Sequence, residues 1–135
     1  MKPTLVPGAA HKRSLVVDRP RTIDFMGEGL RVYATPEMVR DIEVTCRELL
    51  MQHSDAGEDS VGTRVEVDHV GATLLGMPVE ISVTVTEVKG RSVTFEASVR
   101  DSVEEVGRGR HTRFIVDIAK TAERLAAKAA KAKAV

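Results

Sequence analysis

The hydrophobic period of the chain changes once, near Gly57, and this change limits the folds that the chain can adopt. Before it, apolar residues recur at steps of three and four from Thr35 to about Gln52, which predicts one long amphipathic helix. Thr35, Pro36 and Glu37 are typical of a helix start, with Thr35 as the N-cap. After Gly57 the period becomes two, which is the period of β-strands with one buried face.

Four alternating segments follow the helix, and one side of each is predicted to face inward. The predicted inward residues are Val61, Thr63, Val65 and Val67, then Val79, Ile81, Val83 and Val85, then Val93, Phe95, Ala97 and Val99, and finally Phe114, Val116 and Ile118. His69 continues the phase of the first set. Lys89 and Gly90 predict a tight turn and residues 101–105 a looser one, so we expect hairpins and an antiparallel sheet.

These patterns divide the chain into three parts. Residues 1–13 contain turn formers and no period, which predicts a loose lead-in, and residues 119–135 predict a solvated, basic helical tail. The domain between them, residues 14–118, is expected to begin with a short strand over 14–18. A loop over residues 19–29 could then close over a site as a lid.

One long helix and strands with a single apolar face favour an α+β architecture in which a curled antiparallel sheet wraps the central helix, the hot-dog fold. A single curled sheet of this length leaves its edge strands unprotected. Pairing with a second copy would continue the sheet, so we expect a homodimer, and two dimers could associate further.

The composition and the cysteine content exclude several classes of protein. The 20 basic and 20 acidic residues give no net charge, so neither a nucleic-acid partner nor a membrane partner is expected. Cys46 is the only cysteine, which excludes an internal disulfide and fits a reducing cytoplasm. The N-terminal segment lacks the apolar run of a signal peptide, so we expect a soluble cytoplasmic protein. No histidine pair has metal-ligand spacing with a nearby carboxylate on the same element, so we expect no metal.

Two residues stand out as candidates for chemistry. Glu43 borders the apolar stripe of the helix, where a partly desolvated carboxylate could act as a base or a nucleophile. The alternative role for Glu43 is a surface ion pair with Arg47, four residues later, and the spacing alone favours this ion pair. His69 lies in phase with inward valines beside a break at Gly71, so its ring could enter a cleft or be a satisfied structural histidine. The remaining histidines show no comparable placement: His11, His53 and His111.

Three segments of the chain carry a resemblance through their residues, order and spacing. They are residues 32–35 with Glu43 eight positions after Thr35, residues 60–63 leading to 69–73, and residues 101–113. In these segments the chain resembles the hot-dog thioesterases related to fluoroacetyl-CoA thioesterase. The resemblance implies hydrolysis of a small or medium acyl-CoA to the free acid and CoA, without a cofactor. It implies Thr35, Glu43 and His69 as catalytic residues, and Gly62, His69 and Arg113 as substrate-binding residues.

Several alternatives stay open at this level. The fold could serve a non-catalytic module that binds acyl-CoA or acyl lipids. A hydratase acting on enoyl-CoA would need an aspartate a few residues before a histidine, whereas Asp68 is adjacent to His69 and points to the opposite face. Arg108 and Arg110 could meet the phosphates of CoA or be ordinary solvated charges. Gly107 and Gly109 are expected to mark a bulge or curvature rather than a phosphate loop.

Overall fold

The structure is a computed structural model that describes residues 1–134; Val135, the last residue of the predicted tail, lies outside that range. The elements in chain order are β1 (Ala10–Val16), α1 (Thr35–Met51), β2 (Glu58–His69), β3 (Pro78–Lys89), β4 (Ser92–Asp101), β5 (Glu105–Asp117) and α2 (Ile118–Lys133). Two short 3-10 helices, Arg19–Arg21 and Glu28–Leu30, lie between β1 and α1.

The five strands form one antiparallel sheet in the order β1-β3-β4-β5-β2, so β1 and β2 are its edges. Helix α1 contacts both edge strands as well as β3 and β5, which shows that the sheet curves around the helix. This is the predicted α+β architecture. The β3–β4 hairpin turns at Gly90 and Arg91, where Gly90 has a φ of +62° that residues other than glycine rarely adopt.

The hydrophobic core lies between α1 and the inner faces of β3 and β4, as the two periods predicted. The predicted inward residues of β3 and β4 are all buried, and so is most of the predicted helical stripe. The buried residues of α1 are Met38, Asp41, Ile42, Thr45, Cys46, Leu49 and Leu50. Burial of the apolar side chains among them provides the main driving force that holds the helix inside the sheet.

The predicted inward face of β5 is wrong. Ile115 is fully buried, whereas Phe114 is 40% exposed and Ile118, which begins α2, is 51% exposed. The inward positions next to Ile115 carry His111 and Arg113, which are both buried. Because a hydrophobic period identifies only an apolar face, these two polar residues hid the inward side of the strand.

Strand β2 also departs from the predicted pattern, because it contains a β-bulge. Its pairing with β5 shifts between Gly62 and Arg64, so Thr63 is an extra residue. A slip of one residue moves every later side chain to the other face. Val61 and Val65, which were predicted to share a face, therefore lie on opposite faces and are 47% and 38% exposed.

The N-terminal region is more ordered than its sequence indicates. β1 begins at Ala10, four residues before the predicted start, and its half-buried positions are His11, Arg13 and Leu15. Two of these three are polar, which masked the alternation. Leu5 is buried in the core. At the other end of the chain, no described residue of α2 is buried, and within residues 1–134 neither helix has the length and hydropathy of a membrane-spanning segment.

Gly107 and Gly109 both lie where a neighbour approaches β5 closely. A Cβ on Gly109 would stand 2.1 Å from the carbonyl oxygen of Glu66 on β2, and this backbone atom cannot move without disturbing the strand pairing. We expect Gly109→Ala to lower the free energy of unfolding by about 1–3 kcal/mol in urea denaturation, because overpacking strains the sheet. Gly29→Ala is the control, since a Cβ there meets nothing within 4 Å. Equal losses in the two variants would contradict the prediction.

Candidate active site

Thr35 and His69 meet at the first turn of α1. Thr35 Oγ1 lies 2.7 Å from His69 Nδ1, at hydrogen-bond distance. Thr35 is the first helical residue and Ala34 occupies the N-cap position without a side-chain cap, so the predicted N-cap role of Thr35 is wrong. Its hydroxyl is engaged by the imidazole instead, which leaves Nε2 as the ring nitrogen not used by Thr35.

His69 lines a mainly apolar cleft of about 390 Å³. The residues lining it are Ile23, Val32, Tyr33, Thr35, His69, Val70, Gly71 and Ala72. The ring of Tyr33 meets the imidazole edge-on, with 6.2 Å between the ring centroids. Walls of this kind suit a hydrocarbon chain, while the hydroxyl and imidazole supply the few polar groups that a ligand pocket needs.

Tyr33 is fixed in this wall by a buried charge cluster. Its hydroxyl donates to Asp41, which is 3% exposed and also accepts two hydrogen bonds from Arg21, at 2.9 and 3.1 Å. Burial, and next the hydrogen bond to Asp41, raise the pKa of Tyr33, so the phenol does not titrate near neutral pH. Arg21 belongs to the predicted lid and fastens its first part to α1. The tip of that segment is open, with Phe25 77% exposed.

Glu43 lies two turns further along α1 and faces β2 across Gly62. Its Oε1 stands 3.0 Å from the position that a Cβ on Gly62 would occupy, and His111 Cε1 and Arg113 Nη1 stand 3.1 and 3.6 Å from the same point. The absence of a side chain at Gly62 therefore lets the carboxylate lie against the strand. Within residues 1–134, the Glu43 carboxylate makes no hydrogen bond and no ion pair.

The ion pair between Glu43 and Arg47 that the spacing favoured is not formed. Arg47 donates instead to both carboxylate oxygens of Asp59 on β2, from Nε at 2.9 Å and from Nη2 at 2.6 Å. The pKa of Asp59 is lowered, and the hydrogen bonds from Arg47 are the largest cause. Glu43 is left as a half-buried carboxylate with no partner on its own helix.

Arg113 is held by three contacts and is only 7% exposed. Its Nε donates to Ser60 Oγ at 2.8 Å, its Nη2 donates to the Ser60 carbonyl at 2.8 Å, and its Nη1 lies 3.2 Å from His111 Nε2. His111 was not identified as a candidate from the sequence. Its spacing of two from Arg113 would have placed it on the same inward face, had the face of β5 been assigned from Ile115.

One chain does not bring all the predicted site residues together. Thr35 and Glu43 are eight residues apart on α1, which is about 12 Å along the helix axis. Gly62 and His69 are seven residues apart on β2, which is about 23 Å along an extended strand. The structure therefore unites Thr35 with His69, and Glu43 with Gly62 and Arg113, as two separate groups. The other arginines of β5, Arg108 and Arg110, lie on the outer face of the sheet.

His69 and His111 should make stability depend on pH. Burial is the largest cause that lowers the pKa of each ring, opposed by hydrogen bonds to the backbone of Gly71 and Arg64 respectively. The fold favours the neutral form of both rings. Their contribution to the free energy of unfolding is therefore complete above the unfolded histidine pKa of about 6.5, and it is lost as the pH falls through the lowered pKa values of the folded state. We expect the free energy of unfolding in urea to decline from about pH 6.5 towards pH 5, before the carboxylates protonate. His111→Gln should show a shallower decline, and an unchanged slope would contradict the prediction.

The sequence matches one family over most of its length. Residues 17–119 match the model of the fluoroacetyl-CoA-specific thioesterase family. A fluoroacetyl-CoA thioesterase from Streptantibioticus cattleyicolor is 31% identical over 116 residues, which cover 86% of this chain and 81% of the relative.

Solved structures show the same architecture. The fluoroacetyl-CoA thioesterase FlK superposes with a TM-score of 0.84 and 27% identity, covering 92% of this chain and 97% of its own. A thioesterase superfamily member from Thermus thermophilus superposes over the whole of both chains with a TM-score of 0.89 and 26% identity. A hot-dog-like protein from Thermanaerovibrio acidaminovorans, at 24% identity and a TM-score of 0.83, is similar in fold over 90% of this chain and 91% of its own. The predicted hot-dog fold is confirmed.

Proposed function

Since this chain belongs to the fluoroacetyl-CoA-specific thioesterase family, we propose that it hydrolyses a small or medium acyl-CoA thioester to the free acid and CoA in the cytoplasm. The observation that carries the proposal is the unpaired carboxylate of Glu43, which lies against the Gly62 backbone beside the buried cation of Arg113. Thioester hydrolysis needs such a group, because a carboxylate in an ion pair is a weaker base and a weaker nucleophile.

The complete site requires a second copy of the chain. β2 is an edge strand whose residues 61–66 are exposed on both faces, and two valines are among them. Antiparallel pairing of two copies of β2, centred between Val65 and Glu66, would place His69 of the partner subunit opposite Gly62. The Thr35–His69 pair of one subunit would then meet Glu43 of the other. Such pairing also removes the open edge of the sheet.

The chemistry follows from these groups. Glu43 either removes a proton from a water that attacks the thioester carbonyl, or attacks that carbon itself. In the second route the carbon–sulfur bond breaks, the electron pair leaves with the sulfur as the CoA thiolate, and water hydrolyses the resulting anhydride. Thr35 orients the ring of His69, so that the imidazole would polarise the thioester carbonyl or protonate the leaving sulfur. The Gly62 backbone and Arg113 help to hold the substrate.

The cleft beside His69 supports a short or medium acyl group. A volume of about 390 Å³ with mainly apolar walls has room for a short or medium hydrocarbon chain. Phe25 and Met26 are exposed in the predicted lid, and the exposed Leu30 directly follows it, so this segment could cover such a chain.

A thiol-release assay across CoA thioesters from acetyl to octanoyl tests the proposed function. We expect release of free CoA with at least one short or medium substrate, and a mass in solution of at least twice that of the chain. Binding of acyl-CoA without thiol release, measured by calorimetry on the same samples, would instead favour a non-catalytic acyl-CoA module and would overturn the proposal.

A further inference from the structure

Two cations flank Glu43, and each of them is held by another partner. Arg47 follows Glu43 by four residues, a spacing at which a glutamate and an arginine normally attract each other on a helix. Its guanidinium is nevertheless turned to Asp59, with both hydrogen bonds formed. Arg47 is also the more exposed of the two cations, because its side chain is 48% exposed.

Arg113 is close to Glu43 but does not pair with it. Arg113 Nη1 and Glu43 Oε1 lie 3.6 and 3.0 Å from one point above Gly62, so they are at most about 7 Å apart, a separation at which opposite charges still attract. In residues 1–134 no ion pair joins them. Three of the five N–H groups of the guanidinium already donate elsewhere: to Ser60 Oγ, to the Ser60 carbonyl and to His111 Nε2.

His111 is suited to hold Arg113 and not to react with substrate. Its Nδ1 lies 2.8 Å from the carbonyl oxygen of Arg64, which can only accept, so the ring proton is on Nδ1. Nε2 therefore carries a lone pair and accepts from Arg113, which can only donate. Both nitrogens are occupied, and the ring stacks on Phe95 with 6.4 Å between centroids.

We propose that Asp59, Ser60 and His111 are positioning residues that hold Arg47 and Arg113 away from Glu43, so that the carboxylate remains unpaired and reactive. The inference rests on the proposed function in that Glu43 is taken as the reacting group. The charged and titratable groups that interact with Glu43 are Cys46 from α1 and His111 and Arg113 from β5, and Arg47 and Asp59 lie near that same Arg113. Release of either arginine would weaken the carboxylate as a base and cover its oxygens.

The Asp59–Arg47 pair gives the sharpest test, because the freed cation can itself be removed. Asp59→Asn keeps the shape of the side chain but releases Arg47 towards Glu43. We expect kcat/KM to fall about tenfold and the acid limb of its pH profile to move about one unit lower. Arg47→Gln alone should stay within about twofold of the wild type, and Asp59→Asn combined with Arg47→Gln should recover to the same level.

A purely structural ion pair would behave differently. Arg47→Gln would then be as harmful as Asp59→Asn, since each breaks the same contact, and the double variant would recover nothing. Either result would overturn the proposal for this pair. A crystal structure of the Asp59→Asn variant provides a readout that is independent of activity, with Arg47 expected within ion-pair distance of Glu43. If the wild type hydrolyses no acyl-CoA, the proposed function fails, while this structure still decides whether Asp59 restrains Arg47.

The role of His111 is tested with two matched variants. His111→Gln can place a carbonyl oxygen near the former Nε2 and keep an acceptor for Arg113, whereas His111→Asn is too short to do so. We expect kcat/KM to fall about tenfold with asparagine and less than about threefold with glutamine, with the acid limb shifted only in the former. Equal losses in the two variants, with unshifted profiles, would show that His111 does not act through Arg113.

Discussion

Glu43→Gln is expected to lower kcat by about a hundredfold or more, the scale usual for a positioned base or nucleophile. Glutamine keeps the length and shape of the side chain against Gly62, so the loss reports the charge and the lone pairs of the carboxylate. Glu43 has no hydrogen-bond or ion-pair partner among residues 1–134, so the substitution breaks no visible structural contact. The melting temperature should therefore change little while thiol release falls.

Glu48→Gln is the matched control for this experiment. Glu48 is also half-buried on α1, but it faces β1, where His11 and Arg13 lie 3.4 and 4.0 Å from its carboxylate. Its replacement should leave kcat within about twofold of the wild type, because it lies away from both groups of site residues. Undiminished hydrolysis by Glu43→Gln would remove the carboxylate from the mechanism.

The second large effect concerns His69 and the partner subunit. His69→Ala should lower kcat by about a hundredfold or more, because the polarising group and the partner of Thr35 are lost together. The structure of one chain separates His69 from Glu43, so the two substitutions are expected to inactivate different halves of the same composite site. Each variant should remain folded and dimeric, since Gly62 and most of β2 are unchanged.

Mixing the two inactive variants tests the composite site directly. When Glu43→Gln and His69→Ala chains are unfolded together and refolded, half of the dimers should be mixed, and each of these has one intact site and one doubly substituted site. We expect recovery of about one quarter of the wild-type activity. Two variants refolded separately and then combined without exchange provide the control. No recovery after exchange, with mixed dimers present, would show that Glu43 and His69 do not act across subunits.

The sequence by itself determined the framework of this protein. The helical stripe of α1 and the alternation of β3 and β4 are local patterns, because each apolar residue there faces the core at the period of its own element. They predicted the end of the long helix to within one residue, and they predicted the buried faces of both strands. The resemblance located Thr35, Glu43, Gly62, His69 and Arg113, whose roles stay predictions.

The tertiary structure alone decided which of these residues meet. The bulge at Thr63 reverses the phase of β2, and no local pattern marks it. The inward face of β5 carries the polar residues His111 and Arg113. They can be buried there because they bind partners 47 and 53 residues away in the sequence, which no local pattern shows. Arg47 pairs with Asp59 rather than with Glu43 because β2 lies beside α1. Helix spacing sets which pairs are available, but the free energy of a hydrogen bond depends on what the fold brings next to it.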